Sequence, residues 1–173
     1  MAAYQAAHAG PAAGLPAQQE RARQALQAIQ EAGWLRPPDD RVRARLAGLG
    51  HFPDFPGELA WLPCDVAGHL RDSALIFSAR IQAARMIDRP YLVDFSTCDP
   101  ARVARYRSLP RDQMLRELAA AQQRLAAAVA GVTQADMART ACHEFDGDVA
   151  LADILAFLPR HQADHAEQLE LLT

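Results

Sequence analysis

One stretch decides the expected fold: ALADILAFLPRHQADHAEQLEL, residues 150 to 171. Its apolar residues recur every three or four positions, which is the spacing of one face of an α-helix. That face carries Leu151, Ile154, Leu155, Leu158, His161, His165, Gln168 and Leu169. His161 and His165 interrupt the apolar stripe one helical turn apart, so they can hold one metal ion between them. Chance gives roughly 0.2 such pairs in a chain with six histidines, so the spacing alone leaves the question open.

Three further segments have the same helical period. A first helix is expected from Ala17 to about Ala32, a second from Pro63 to about Asp88, and a third from Leu109 to Gly131 with Ser108 as its N-cap. Short helices are expected at 41–49 and 101–107, and a capped turn at Thr133 to Asp136. Because alanine is abundant and β-branched residues are dispersed, the composition also favours helices. The sequence predicts an all-α fold, a four-helix bundle with short extra helices in the loops.

The second predicted helix contributes a third histidine. Its inward stripe contains Val66, His69, Leu70, Ser73, Phe77 and Ile81. Unpaired imidazoles in a core cost several kcal/mol, and one metal ion would satisfy all three histidines at once. Core histidines with ordinary hydrogen-bond partners are the alternative interpretation. Pro159, one turn before the pair, is expected to kink the fourth helix.

Length, composition and net charge limit the possible domain organisation and the class of protein. Residues 1–16, rich in Ala, Gly and Pro, are expected to form a loose leader, and 17–173 a single domain. All 18 basic residues are arginine, the net charge is −3, and no extended basic patch is present, so we expect no nucleic-acid partner. No apolar run approaches the length of a membrane span or signal peptide, and no membrane association is expected. Three widely spaced cysteines without a CxxC motif favour the reducing cytoplasm.

Three segments together resemble the DinB/YfiT superfamily of small bacterial proteins. They are WLPCDVAGHLRDSALIFSARIQAARMIDRP at 61–90, RELAAAQQRL at 116–125 and CHEFDGDVALADILAFLPRHQADHAEQL at 142–169. The resemblance implies a four-helix bundle that holds a divalent metal, such as zinc, nickel or iron, on His69, His161 and His165. Three neutral imidazoles would leave a coordination position for water or substrate, as in catalytic zinc sites.

The resemblance also implies a class of function. We expect a metal-dependent hydrolase, or an S-transferase that uses a low-molecular-weight thiol, acting on a small-molecule substrate. A non-catalytic, stress-related binding module with a structural metal is the alternative. No general base or anion-binding arginine stands at a fixed spacing beside the histidines, so the catalytic residues stay unknown.

Other residues have two interpretations each. His143 is either a further ligand or the acceptor or donor of a hydrogen bond that fixes its loop. Cys64 is either a thiolate ligand or a buried inert cysteine, and Asp72 either a base near His69 or a surface acid beside Arg71. Asp164 is either an acceptor for an imidazole or a solvated acid. Exposed apolar residues in the loop before the second helix could support a homodimer: Phe52, Phe55 and Trp61.

Overall fold

In the computed structural model, the described residues are Gly10, 12–50 and 55–173. Among them are six α-helices: α1 Leu15–Ala28, α2 Asp40–Gly48, α3 Pro63–Met86, α4 Pro100–Ser108, α5 Arg111–Ala130 and α6 Leu151–Leu171. Short 3₁₀ helices lie at Glu31–Gly33, Pro56–Ala60 and Gln134–Ala138. The long helices α1, α3, α5 and α6 are the four that the apolar period predicts, and α1 begins two residues earlier than expected.

These four helices form the bundle. The most extensive contacts are between α3 and α5 and between α1 and α6. Buried side chains form two clusters along the bundle, one around Leu26, Leu70 and Leu118 and the other around Ile81 and Leu155. The predicted all-α class and four-helix architecture are confirmed. Among the described helices, none combines the length and the hydropathy needed to cross a bilayer.

A small three-stranded sheet is the main feature that the sequence did not predict. It comprises β1 Tyr91–Leu92, β2 Thr140–His143 and β3 Gly147–Ala150. β1 is parallel to β2, and β2 is antiparallel to β3. The β2–β3 turn ends at Gly147, whose φ of 71° is a conformation that glycine adopts without strain. Strands of two to four residues are too short to show an alternating pattern.

Helix ends agree only in part with the sequence prediction. The capping signal at Thr133 is confirmed, because the backbone N–H and the hydroxyl of Thr133 both donate to the Asp136 carboxylate. Ser108 does not cap α5: its hydroxyl donates to the carbonyl of Arg105 and so closes α4 instead. α6 continues through Pro159 to Leu171, and the kink at this proline stays a prediction.

Candidate metal centre

Three histidines from two helices meet on one side of the bundle. His69 lies on α3, and His161 and His165 lie one turn apart on α6. One ring nitrogen from each lies within 4.8 Å of the others, and Nε2 of His69 is 2.9 Å from Nε2 of His161. Two ligands of a tetrahedral zinc ion at ordinary Zn–N distances are about 3.3 Å apart. The structure therefore brings together all three predicted ligands at nearly the spacing that one ion requires.

Burial disfavours the charged form of His69 and of His161. His69 and His165 are buried, and His161 is half-buried. Burial lowers the pKa of His69 well below its ordinary value, and the neighbouring His165 and His161 lower it further. Burial followed by the effect of His165 does the same for the pKa of His161. A neutral imidazole has the free lone pair that a metal ion needs, so the charge state of the cluster suits ligation.

His165 is oriented by a hydrogen-bonded glutamine. Nδ1 of His165 lies 2.9 Å from Oε1 of Gln168, and the Gln168 amide donates to the main-chain carbonyl of Glu58 at 2.6 Å. Because the amide nitrogen already donates to Glu58, the amide oxygen accepts the Nδ1 proton of His165. With the proton on Nδ1, the free lone pair of the His165 ring is on Nε2. Gln168 itself is completely buried. Metal-binding histidines are ordinarily held by such a contact.

The other two histidines lack such a partner. Nδ1 of His69 and Nδ1 of His161 are buried and form no hydrogen bond with any described residue. Protons on both Nδ1 atoms would leave two Nε2 lone pairs facing each other at 2.9 Å, with Ser73 Oγ 3.2 Å from the first. A proton on either Nε2 would instead leave an Nδ1 lone pair unsatisfied. A cation between the Nε2 atoms removes this conflict, so the three residues fit a divalent metal.

Aromatic rings enclose the histidine cluster. Trp61 stacks on His165 at 5.9 Å between ring centres and lies 5.0 Å from His69, whose ring also stacks on Phe95 at 5.8 Å. Trp61 is only 4% exposed, so its predicted place on an exposed dimer surface is wrong. The Trp61 ring packs on the imidazoles of His69 and His165 instead of facing solvent. Phe55 is exposed as expected, and Phe52 lies outside the described residues.

The cluster opens into a cavity of about 480 Å³. This volume is within the range of small-molecule sites. The helical part of its wall comes from α3 and α6, while the sheet and the segment after β1 close the other side. Its lining includes Ser73, Phe77, Arg80, Leu92, Phe95, His143, Ile154, Phe157, Arg160 and Asp164. All three imidazoles line this cavity, so a small molecule bound in it would contact them.

Glu58 is a residue of the site that sequence reasoning missed. Its side chain is 3% exposed, it lines the cavity, and its Oε2 lies 3.9 Å from Nε2 of His165. Burial raises the pKa of Glu58 to about 7, and a hydrogen bond with Thr97 opposes part of that shift. The residue belongs to a 3₁₀ helix between prolines and glycines, where no period distinguishes an inward side chain. Its loop also contains Asp54, so the acid did not stand out in the sequence.

His143 fixes its loop rather than joining the cluster. Its Nδ1 lies 2.9 Å from the Asp146 carboxylate and its Nε2 lies 3.5 Å from Asp94. The ring is buried and lines the far part of the cavity. The interpretation as a loop-fixing residue agrees with these contacts.

Cys64 and Asp72 are structural. Burial raises the pKa of the Cys64 thiol to about 12, which disfavours the thiolate that a metal would need. Asp72 is buried and accepts hydrogen bonds from Arg71, Arg102 and the Tyr106 hydroxyl. The interpretation of Asp72 as a surface acid is wrong, because it anchors α4 against α3. Asp72 does not line the cavity, whereas the half-buried Asp164 does.

Two solved structures share this architecture. YfiT from Bacillus subtilis, described as a probable metal-dependent hydrolase with an unusual four-helix bundle topology, aligns with a TM-score of 0.71 at 16% identity, covering 92% of this chain and 81% of that one. A mutant of the mycothiol-dependent maleylpyruvate isomerase aligns with a TM-score of 0.67 at 11% identity. This alignment covers 92% of this chain and 59% of the isomerase. At these identities the likeness shows a common fold.

The sequence itself gives the family. No curated protein sequence matches the chain significantly. The family model of the DinB superfamily matches residues 15–169, which include the four long helices except the last two residues of α6, and all three clustered histidines. The chain belongs to the DinB superfamily.

Proposed function

We propose that this protein holds a divalent metal ion on His69, His161 and His165 and uses it to transform a small molecule bound in the adjoining cavity. One observation carries the proposal: three buried or half-buried imidazoles converge at the wall of a cavity with room for a small molecule. A purely structural site would be expected to have a fourth protein ligand and no access. Zinc, nickel and iron all accept imidazole ligands.

The chemistry follows from what such an ion supplies. When bound, a divalent cation lowers the pKa of a water molecule or a thiol that shares it, which produces a nucleophile at neutral pH. With water, the reaction is a hydrolysis. With a low-molecular-weight thiol, it is an S-transfer to an electrophilic substrate.

The protein residues supply binding and orientation. Gln168 directs Nε2 of His165 toward the other two histidines. The rings of Trp61 and Phe95 stack on His165 and His69 and shield these imidazoles from bulk water. Glu58 brings one carboxylate next to the cluster, where its negative charge would compensate part of the charge of the cation. The solved relatives support both reaction types: one is described as a probable metal-dependent hydrolase and the other as a mycothiol-dependent isomerase.

Metal content tests the first half of the proposal. Protein purified without a histidine tag should contain about one equivalent of metal, and His161→Ala should lose it. His143→Asn is the matched control, since it removes an imidazole from the same cavity but outside the cluster. Substoichiometric metal in the native protein, together with unchanged metal in His161→Ala, would overturn the assignment.

The second half is tested by turnover. The metal-loaded protein should consume a thiol in the presence of an electrophile, or hydrolyse an ester or amide without a thiol, and His161→Ala should do neither. Screening both reaction types with the same protein separates the transferase from the hydrolase. A stoichiometric metal whose removal greatly lowers Tm, without turnover in either screen, would instead favour the non-catalytic module.

A further inference from the structure

Arg80 places a positive charge in the cavity wall away from the histidines. It lies eleven residues after His69 on α3, which is three helical turns, so both side chains project from the same face. Its guanidinium is half-buried, donates to the carbonyl of Val93 at 2.7 Å and lies over the ring of Phe77. Burial lowers the pKa of Arg80, which means that its charge is poorly solvated.

Several other arginines in the described part of the chain are neutralised by carboxylates, although the half-buried Arg139 donates to the main-chain carbonyls of Ala84 and Ile87 instead. Arg71 pairs with Asp72 and Glu117, Arg102 with Asp72, and Arg107 with Asp65. These pairs join helices to one another and have a structural role.

Arg80 forms an ion pair with none of the described carboxylates. Asp94 and Asp146 are near enough to favour its charge, but both are in contact with His143, at 3.5 and 2.9 Å. The Nε and Nη1 groups of Arg80 donate to no described residue. The cavity wall therefore contains a half-buried cation whose Nε and Nη1 groups have no partner among the described residues, and such a group can recognise an anion.

The distance from Arg80 to the histidines fits one small molecule. The Cζ atom of Arg80 lies 5.4 Å from the centre of the Phe77 ring, and that ring lies 6.3 Å from the ring of His161. The guanidinium is thus at most about 12 Å from the cluster. Phe77 and Phe157, 5.6 Å apart, give the intervening wall an apolar surface.

We propose that Arg80 is an anion-binding subsite, and that the molecule reacting at the histidines has an apolar body and a carboxylate that Arg80 holds. The part of this inference that concerns the reaction rests on the proposed function, whereas the part that concerns binding at Arg80 does not. The apolar body would cover Phe77 and Phe157, and the carboxylate would receive the free Nε and Nη1 donors. The reacting end would then face the three imidazoles.

Binding of two matched probes tests the subsite. By titration calorimetry, wild-type protein should bind 4-phenylbutyrate at least about tenfold more tightly than the neutral 4-phenylbutan-1-ol, because a charged hydrogen bond is lost with the alcohol. In Arg80→Gln this preference should fall below about twofold while the alcohol binds as before. Arg160→Gln is the control, since it removes an equal charge from the exposed part of the same cavity and should keep the preference.

The same probes distinguish the subsite from the metal site. The carboxylate preference should persist in His161→Ala, so a failure of the metal assignment leaves this inference standing, and the reverse also holds. A preference that survives in Arg80→Gln, that falls equally in Arg160→Gln, or that disappears in His161→Ala would overturn the inference. If Arg80→Gln no longer binds the alcohol either, the same two probes are measured on Arg80→Lys, which keeps the positive charge. Binding of the alcohol by Arg80→Lys without any preference for the carboxylate would also overturn the inference.

Discussion

Gln168→Leu should weaken metal binding without removing a ligand. The substitution keeps a side chain of similar size in a completely buried position but removes the acceptor for Nδ1 of His165. It also removes the donor to the carbonyl of Glu58. Without the acceptor, the imidazole loses the contact that places its proton on Nδ1 and its lone pair toward His69 and His161.

The size of the effect follows from that single contact. A hydrogen bond that orients and polarises a metal-binding imidazole is typically worth 10- to 100-fold in metal affinity, or about 1.4–2.8 kcal/mol. The energetic cost of leaving the buried Nδ1–H without a hydrogen-bond partner is similar, about 1–3 kcal/mol. We therefore expect the dissociation constant for Zn²⁺ to rise by about 10- to 100-fold.

Competition with a chromophoric chelator measures this constant on tag-free protein. Gln162→Leu is the matched control: Gln162 is also a buried glutamine on α6, but its Oε1 has no hydrogen-bond partner. It should bind Zn²⁺ like the wild type. Equal affinity in Gln168→Leu and wild type, or an equal loss in both glutamine variants, would refute the orienting role.

Three further predictions concern stability and accessibility. Gly68→Ala should lower the free energy of unfolding by about 1–3 kcal/mol in urea titrations, because the new methyl group would overlap the buried ring of Tyr106; a loss below about 0.5 kcal/mol would contradict this. Iodoacetamide should label the exposed Cys98 well before Cys64, which is buried and has a raised pKa; equal rates by peptide mass mapping would contradict the described burial. Removal of the metal by a chelator should lower the Tm of the wild-type protein, since free metal at 100 times its Kd stabilises the folded state by about 2.7 kcal/mol. The Tm of His161→Ala should not change, and an equal decrease in both proteins would show that the chelator itself causes the effect.

The sequence predicted the parts of the fold that depend on long periodic segments. α6 shows its apolar stripe over 21 residues and α3 has the same period, so the sequence alone predicts that His69, His161 and His165 lie on inward faces. Their convergence needed the packing of α3 beside α6, which the resemblance to a known bundle implied and the period alone did not. Short helices were also found where proline or aspartate marks their first turn, as at Pro100.

The remaining site residues come from segments without a period. Glu58 and Trp61 belong to a turn whose backbone direction depends on what it packs against, so no local pattern distinguishes their inward side chains. The strand that carries His143 is four residues long and pairs with a two-residue strand some fifty positions earlier. Contacts at such a sequence separation are set by the folded bundle rather than by local propensity.

Arg80 shows a different limit of the same reasoning. Its position three turns after His69 places it on the cavity face, yet the apolar stripe of this helix contains Phe77 and Ile81 but not Arg80. The spacing of apolar residues does not predict an inward arginine, because charged side chains are usually exposed. Helical geometry permits the inward placement, since a long side chain can cover an apolar neighbour with its stem and present its charge at the edge of that surface. His69 and the proposed anion subsite thus lie on one face of α3, so this helix fixes the distance between one of the three clustered histidines and Arg80.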